Sequence, residues 1–316
     1  LRLFLKLASC AEVDYRKENF GLEALPDIDF NIRAGNSLVG FANYEEVKFA
    51  VEHNSLSGQM NLLSGNTMGI IDENAQKVSL AYKRFKNTQI ISGSHDEILS
   101  AKKDLQQRLD NLNTELNQYM AKKYGIDTDK EEQYNQWLST HEPFNWFVEF
   151  YDVIHNRGGF DVIIGNPPYV EYSKIKKQYQ LFNYKTLEAG NLYAYVIERC
   201  LNTLHLKSRI GMIIQLSAFC TPRMLPFQNE WFEHSAQSHI SFFDDRPGKL
   251  FDGLEHIRVA ICMSEFGTKS ENIATTNYVK FYSETRDFLF NIISYGNNDN
   301  AQKNSSILKI NNKLEH

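Results

Sequence analysis

Three short segments are apolar at nearly consecutive positions rather than at every second one: Phe160–Gly165 (FDVIIG), residues 210–216 (IGMIIQL) and residues 257–263 (IRVAICM). A strand that is apolar on both sides must be covered on both sides, and a sheet sandwiched between helices meets that demand. Between the first two lies a helical pattern over residues 191–204, with Leu192, Tyr195, Val196, Arg199, Cys200 and Leu204 on one face. Residues 239–243 read as a further strand. From residue 158 onward we therefore expect an α/β fold with a mostly parallel sheet, covered on both faces, whose final strand pair is antiparallel. Residues 277–283 are strand-like, the following DFLFNII is helix-like, and residues 297–305 read as a loose polar tail.

Further towards the N-terminus, residues 30–34 (FNIRA) read as a short strand entered through Pro26 and Asp27 and left through the turn Gly35-Asn36-Ser37. The character changes over residues 68–140. Ile98, Lys102, Leu105, Leu109, Leu112, Leu116 and Tyr119 are spaced alternately four and three residues apart, a seam of about three heptads. A second stretch, residues 72–86, carries Val78, Ala81, Tyr82 and Phe85 on one face. A helical-hairpin insertion is the simplest reading, and a single amphipathic surface helix also satisfies the pattern.

Of the 316 residues, 42% are hydrophobic and 13% aromatic, enough for a sizeable core. No apolar run approaches the roughly 20 residues of a membrane span. The net charge of -5 excludes nucleic-acid binding through global charge and leaves local basic patches open. Cys10, Cys200, Cys220 and Cys262 are scattered, and His205, His234 and His256 show no ligand spacing. We expect no metal site, no disulfide framework and a reducing, cytoplasmic setting. The first residue is Leu, residues 1–8 (LRLFLKLA) read as a helix already under way, and Leu314-Glu315-His316 match the remnant of a C-terminal histidine tag.

One tetrapeptide carries chemistry: Asn166-Pro167-Pro168-Tyr169, directly after the strand Phe160–Gly165. In open α/β sheets, ligands sit at the carboxyl ends of the strands. Two prolines stiffen the loop and remove two N–H donors. The Asn166 side chain offers an acceptor, and Tyr169 offers a flat stacking face. Such a loop suits an exocyclic amino group. Asn166 Oδ1 would accept one N–H and the Pro167 carbonyl the other, which turns the nitrogen lone pair out of the ring plane. An electrophilic methyl placed above that nitrogen completes an in-line displacement that needs neither a metal nor a strong base.

At these residues the sequence resembles a known family. FDVIIGNPPYVEY looks like the catalytic motif of the adenine-specific (N6) DNA methyltransferases, and the surrounding text resembles the methyltransferase region of type IIG restriction–modification enzymes. The similar segments run in order through LPDIDFNIRAGNSLVG, FNWFVEFYDV, GGFDVIIGNPPY, NLYAYVIERCL, SRIGMIIQLSAF, KLFDGLEHIRVAICM and TTNYVKFYSETRDFLF. Protein-glutamine methyltransferases share the tetrapeptide, so the ordered set carries the resemblance.

The resemblance implies a Rossmann-like, S-adenosylmethionine-dependent methyltransferase sheet acting on an adenine flipped out of double-stranded DNA, in a restriction–modification or related defence system. By position, Asn166, Pro167 and Tyr169 match the catalytic and base-binding residues. Asn36, with Ser37 beside it, matches a position that contacts the cofactor's adenine; Asn stands there where Asp is also found. Phe251 falls near an aromatic that stacks on the flipped base. Lys174, Lys176 and Lys177, with Lys185 behind them, are candidate phosphate contacts. Asn191 and Tyr193 are expected to support the pocket, and Ser37 is also a candidate helix cap.

The same resemblance places a glycine-rich cofactor loop, an acidic ribose-binding residue and two strands upstream of residue 1, and a target-recognition domain beyond residue 313. We therefore expect a piece of a longer protein, with an exposed apolar sheet face or edge unless another segment covers it. The expected organisation is an N-terminal part of the core over 1–67, a helical insertion over 68–140, the catalytic core over 141–269, a lead-in to target recognition over 270–313, and tag residues 314–316. Two other functions stay open at this point: methylation of a protein glutamine amide, and a non-catalytic DNA-binding scaffold lacking the cofactor loop.

Overall fold

The computed structural model describes residues 5–6, 9–10, 12–16, 28–52, 64–90, 94–253, 256–268 and 272–297. The expected helix over 1–8 lies mostly outside the described residues, as do the tail from 298 and the tag residues.

Helices come first in the chain: α1 Tyr44–Glu52, α2 Ser64–Ile90, α3 His95–Lys123 and α4 Glu131–His141. The strands and two further helices follow: β1 Phe160–Gly165, α5 Leu192–Leu201, β2 Leu204–Gln215, α6 Leu225–Glu233, β3 Ser235–Phe243, β4 Val259–Phe266, β5 Ile273–Val279 and β6 Gly296–Asn297.

The heptad seam is one side of a helical hairpin. Ala101, Leu105, Leu109, Leu112 and Leu116 of α3 are buried with Ile71, Ala75, Val78, Ala81 and Phe85 of α2, and the cluster extends to Val47 and Val51 of α1 and to Phe147 and Tyr151. The turn between the long helices ends in a reciprocal cap. Ser94 Oγ accepts from Glu97 N–H at 3.3 Å, and Glu97 Oε2 accepts from Ser94 N–H at 2.8 Å. Leu112 is fully buried in this seam. Leu112→Ala is expected to cost about 2–5 kcal/mol by cavity formation, read as a shift of the midpoint in urea unfolding.

The six strands lie in the order β1-β2-β4-β3-β5-β6. The pairs β1–β2 and β3–β5 are parallel, and β2–β4, β3–β4 and β5–β6 are antiparallel. Strands β1, β2, β3 and β5 therefore all run in one direction, with β4 and the two-residue β6 against them, so the sheet is mostly parallel as expected and the pair β3–β4 is antiparallel. The connection from β3 to β4 has no crossover helix among the described residues, and β4 returns antiparallel between β2 and β3.

One face is fully dressed. Ile210, Met212 and Ile214 of β2, Ile240 and Phe242 of β3 and Cys262 of β4 pack against Tyr193, Ile197, Phe227 and Trp231 of α5 and α6. The opposite face is covered only in part, by Phe281 and Leu289 over Phe243 and Val259. At the β1 edge, Val162 is 59% and Ile164 81% exposed. Ile164 and Met263 flank Gly211, so these apolar side chains form a row across three strands. Strand β1 is therefore not the strand buried on both faces that its composition predicts. Among the described residues it is an edge with one bare apolar face.

Residues 30–34 do not form a strand. Ile28–Asn31 is a helical turn, and the extended piece after it reaches only an isolated bridge between Asn36 and Pro143. The Phe30 ring packs on Phe85 of α2 at 5.6 Å, and Arg33 pairs with Glu149 at 3.2 Å. This segment is held by the hairpin and not by a neighbouring strand. The strand-like stretch 277–283 is shifted towards the N-terminus, at β5. The DFLFNII segment is split into a tight turn, Ser283–Phe288, and a short helix, Leu289–Ile292.

Candidate active site

Asn166 follows the last residue of β1, at the carboxyl end of the sheet. It is exposed, Pro167 is buried, and Tyr169 is half-buried. The Tyr169 hydroxyl lies 2.7 Å from Asn166 Oδ1 and 3.1 Å from the Ile213 carbonyl on β2. Its single proton can be donated to either oxygen. Burial pushes the Tyr169 hydroxyl up to about 12, so it stays protonated at neutral pH. The ring stands edge-on to Tyr193 of α5, with centroids 6.4 Å apart.

The loop is then tied to the start of α5. Leu192 N–H donates to the Val170 carbonyl and Tyr172 N–H to the Gly190 carbonyl, both at 2.9 Å. Asn191 Nδ2 donates to Glu171 Oε1 at 3.3 Å, and Glu171 Oε2 pairs with Arg223 at 3.0 Å. Gly190 has φ +67°, and a Cβ there would lie 1.6 Å from Arg223 Nη2. Glycine is needed both for the backbone and for the passage of that guanidinium. Asn191 Oδ1 is buried without a hydrogen-bond partner among the described residues. The Glu171–Asn191–Arg223 clamp escapes sequence reasoning because its parts lie 20 and more residues apart. Its one local signal is the Gly190-Asn191 pair before the helix.

Phe251 is half-buried and, like Tyr169, Ile213 and Ile257, packs against the buried cluster of Phe243, Val259, Phe281 and Leu289, so the two candidate stacking residues border one apolar cluster. A concavity of about 500 Å³ opens two residues beyond Ile213, lined by Gln215, Ser217, Cys220, Ile257 and Arg258.

Asn36 is half-buried in its turn. Its N–H donates to the Glu142 carbonyl at 2.8 Å, its Oδ1 accepts from Leu38 N–H at 3.2 Å, and its side chain meets the Tyr179 hydroxyl. The Ser37 carbonyl accepts from Trp146 Nε1 at 3.0 Å. Ser37 caps no helix. That role falls to Asn43, whose Oδ1 accepts from Glu46 N–H at 2.9 Å at the start of α1.

Lys174, Lys176 and Lys177 are exposed on and after a helical turn, Tyr172–Ile175, and have no ion-pair partner among the described residues. Lys185 is different: its Nζ lies 3.1 Å from both carboxylate oxygens of buried Glu230. Its charge is paired with Glu230, although the side chain itself remains largely exposed.

No helix among the described residues is long and apolar enough to cross a membrane, and no cluster of potential metal ligands occurs among them.

A protein of Methanocaldococcus jannaschii named as a type II restriction enzyme and methyltransferase is 27% identical in an alignment of 207 residues, and the match covers 54% of this chain and 16% of that relative's length. The chain thus spans only a small part of the relative it matches. Among solved structures, a DrdV–DNA complex is similar over 57% of this chain and 22% of its own, with a TM-score of 0.35 and 16% identity. A nuclease-deletion mutant of the type ISP restriction–modification enzyme LlaGI, in complex with a DNA substrate mimic, is similar over 48% of this chain and 16% of its own, with a TM-score of 0.34 and 18% identity. The family model of the Eco57I restriction-modification methylases matches residues 2–248, most of the chain, and the protein belongs to that family.

Proposed function

We propose that this chain is part of a site-specific DNA methyltransferase that transfers a methyl group to N6 of an adenine flipped out of double-stranded DNA. The observation that carries this reading is the Asn166 amide, exposed at the carboxyl end of β1 and held from one side by the Tyr169 hydroxyl. A carbonyl oxygen has two lone pairs, so Asn166 Oδ1 can accept the tyrosine proton and still accept an amine N–H. If the tyrosine turns its proton to the Ile213 carbonyl instead, Oδ1 becomes fully available. The Pro167 carbonyl takes the second amine hydrogen. The Tyr169 ring offers one wall for the base and Phe251 a second. The base must leave the duplex first, at a cost of a few kcal/mol.

The methyl donor in this reading is S-adenosylmethionine, which supplies an electrophilic methyl group when bound. The described residues fit one end of it. Asn36 presents an amide suited to an adenine edge, with Ser37 beside it. The neighbouring glycines offer no cradle, because Phe144 fills the space. A Cβ at Gly35 would lie 2.8 Å from the Phe144 ring and one at Gly40 2.2 Å from its carbonyl oxygen. Partners for the ribose and methionine therefore belong, in this proposal, to a cofactor-binding segment of the parent protein, and target recognition to a further domain.

The test is product analysis. The parent protein, incubated with duplex DNA and labelled S-adenosylmethionine, should yield N6-methyladenine on nuclease digestion. Label found in cytosine, or in glutamine side chains of added protein, would sink the assignment.

In this reading Lys174, Lys176 and Lys177, exposed on and after the turn that follows the loop, contact the phosphate backbone. Replacing all three with alanine should weaken DNA binding by the parent protein uniformly across sequences. It should also flatten the slope of log affinity against log salt by about 0.9 for each phosphate no longer neutralised. An unchanged slope would remove them from the interface.

A further inference from the structure

A second cavity, of about 320 Å³, lies where α1 and the carboxyl end of α3 meet the far end of α5. The ten residues of α5 span about 15 Å, with Asn191 at the catalytic loop and Arg199 and Asn202 at this cavity. The space is thus separate from the Asn166–Tyr169 loop, although one wall, Leu38–Gly40, directly follows Asn36 and Ser37 in the chain.

Its walls are of two kinds. Val39, Phe41, Ala50 and Met120 contribute apolar surface. The charged groups are matched among themselves with one exception. Arg199 Nη1 donates to Glu46 Oε2 at 2.7 Å. Glu198 accepts from Lys185 N–H, Thr186 N–H and Thr186 Oγ1 at 2.9, 3.0 and 2.7 Å. Lys185 Nζ reaches Glu230. Lys123 has no carboxylate within ion-pair distance and no hydrogen-bond acceptor among the described residues. Its Nζ lies 5.2 Å from the centroid of the Tyr119 ring. Burial pulls the amine down to about 8, and the field of Glu46 offsets only part of that.

We propose that this cavity binds a small amphipathic monoanion, a carboxylate on an aromatic or aliphatic body, with its charge on Lys123 and its body against Phe41 and Met120. A single open cation selects a single negative charge. A second carboxylate on the ligand would meet Glu46 and Glu198, and a neutral ligand would leave Lys123 unpaired. The volume is at the lower end of the range for small-molecule sites. Because the walls come from the helical hairpin, α1 and the sheet-covering helix together, an occupant would bind the three to one another and raise the unfolding temperature by mass action.

The experiment compares phenylbutanoate with phenylbutanol, which share one apolar body, by calorimetry and thermal shift on the chain as it stands. The carboxylate is expected to bind about tenfold or more tightly than the alcohol, the usual worth of a hydrogen bond to a charged group. Lys123→Met should erase that difference while raising the melting temperature of the free protein, since an uncompensated cation leaves the interior. A loss of binding in a more stable variant is not a folding defect. Lys123→Arg should keep the preference. Equal affinity for acid and alcohol, a preference that survives Lys123→Met, or no binding of the acid at millimolar concentration would each overturn the proposal.

Discussion

Replacing Asn166 with alanine should slow single-turnover methyl transfer by the parent protein by about a hundredfold to a thousandfold, the usual cost of deleting one preorganised electrostatic contact to a reacting group. The side chain is exposed, and its oxygen accepts a hydrogen bond from the Tyr169 hydroxyl. Truncation therefore leaves no buried group unsatisfied, and unfolding free energy should move by less than about 0.5 kcal/mol. Tyr169 keeps a second acceptor in the Ile213 carbonyl, so its ring should stay in place. Separation of the two readouts is the point of the experiment. A wild-type transfer rate in the variant would dismiss the amine-holding role. A large stability loss would recast Asn166 as part of the frame. Asn166→Asp, which retains an acceptor oxygen at the same position, should recover part of the rate.

The position of the candidate loop was legible because the pattern that marks it is local. A β-branched run followed by Asn-Pro-Pro-Tyr marks the carboxyl end of a strand whatever the rest of the sheet does, and β1 has the expected bounds. The hairpin was legible for the same reason: Leu105, Leu109, Leu112 and Leu116 repeat at helical spacing and are all buried. Strand order was not legible. That β4 inserts between β2 and β3 depends on pairings such as Met212 with Cys262 and Ile240 with Cys262, 50 and 22 residues apart. No local pattern encodes a choice between two apolar neighbours.

Strand β1 shows a subtler limit. Composition says that Val162 and Ile164 want cover, and nothing among the described residues covers them. Residues 30–34 failed in the opposite sense. The β-like composition of Phe30 and Ile32 was outweighed by the packing of Phe30 on Phe85 and the pairing of Arg33 with Glu149, both tertiary contacts. Charge commitments are equally invisible from spacing. Lys185 looks like its neighbours Lys176 and Lys177 until Glu230, 45 residues on, is found beside it.

The largest stability effect is expected at a pair that no motif announces. Arg199, 4% exposed, lies between α5, α1 and the segment before α5. Its Nη1 donates to Glu46, its Nε and Nη2 donate to the Tyr184 hydroxyl at 3.1 and 2.8 Å, and that hydroxyl donates to the Leu38 carbonyl at 2.8 Å. The two ends are not equivalent. The Glu46 side chain remains 34% exposed and can return to water, whereas the Arg199 guanidinium cannot. Glu46→Ala should therefore cost about 3–5 kcal/mol, because it strands a buried cation. Arg199→Met should cost less, since the carboxylate it releases is hydrated and the methionine fills much of the space. The double variant should be more stable than Glu46→Ala alone. Urea unfolding of the three variants checks the order. If Arg199→Met proved the more damaging single change, packing of the guanidinium against Tyr184 would outweigh its charge, and the ion pair would be incidental to how α1 is held to the core.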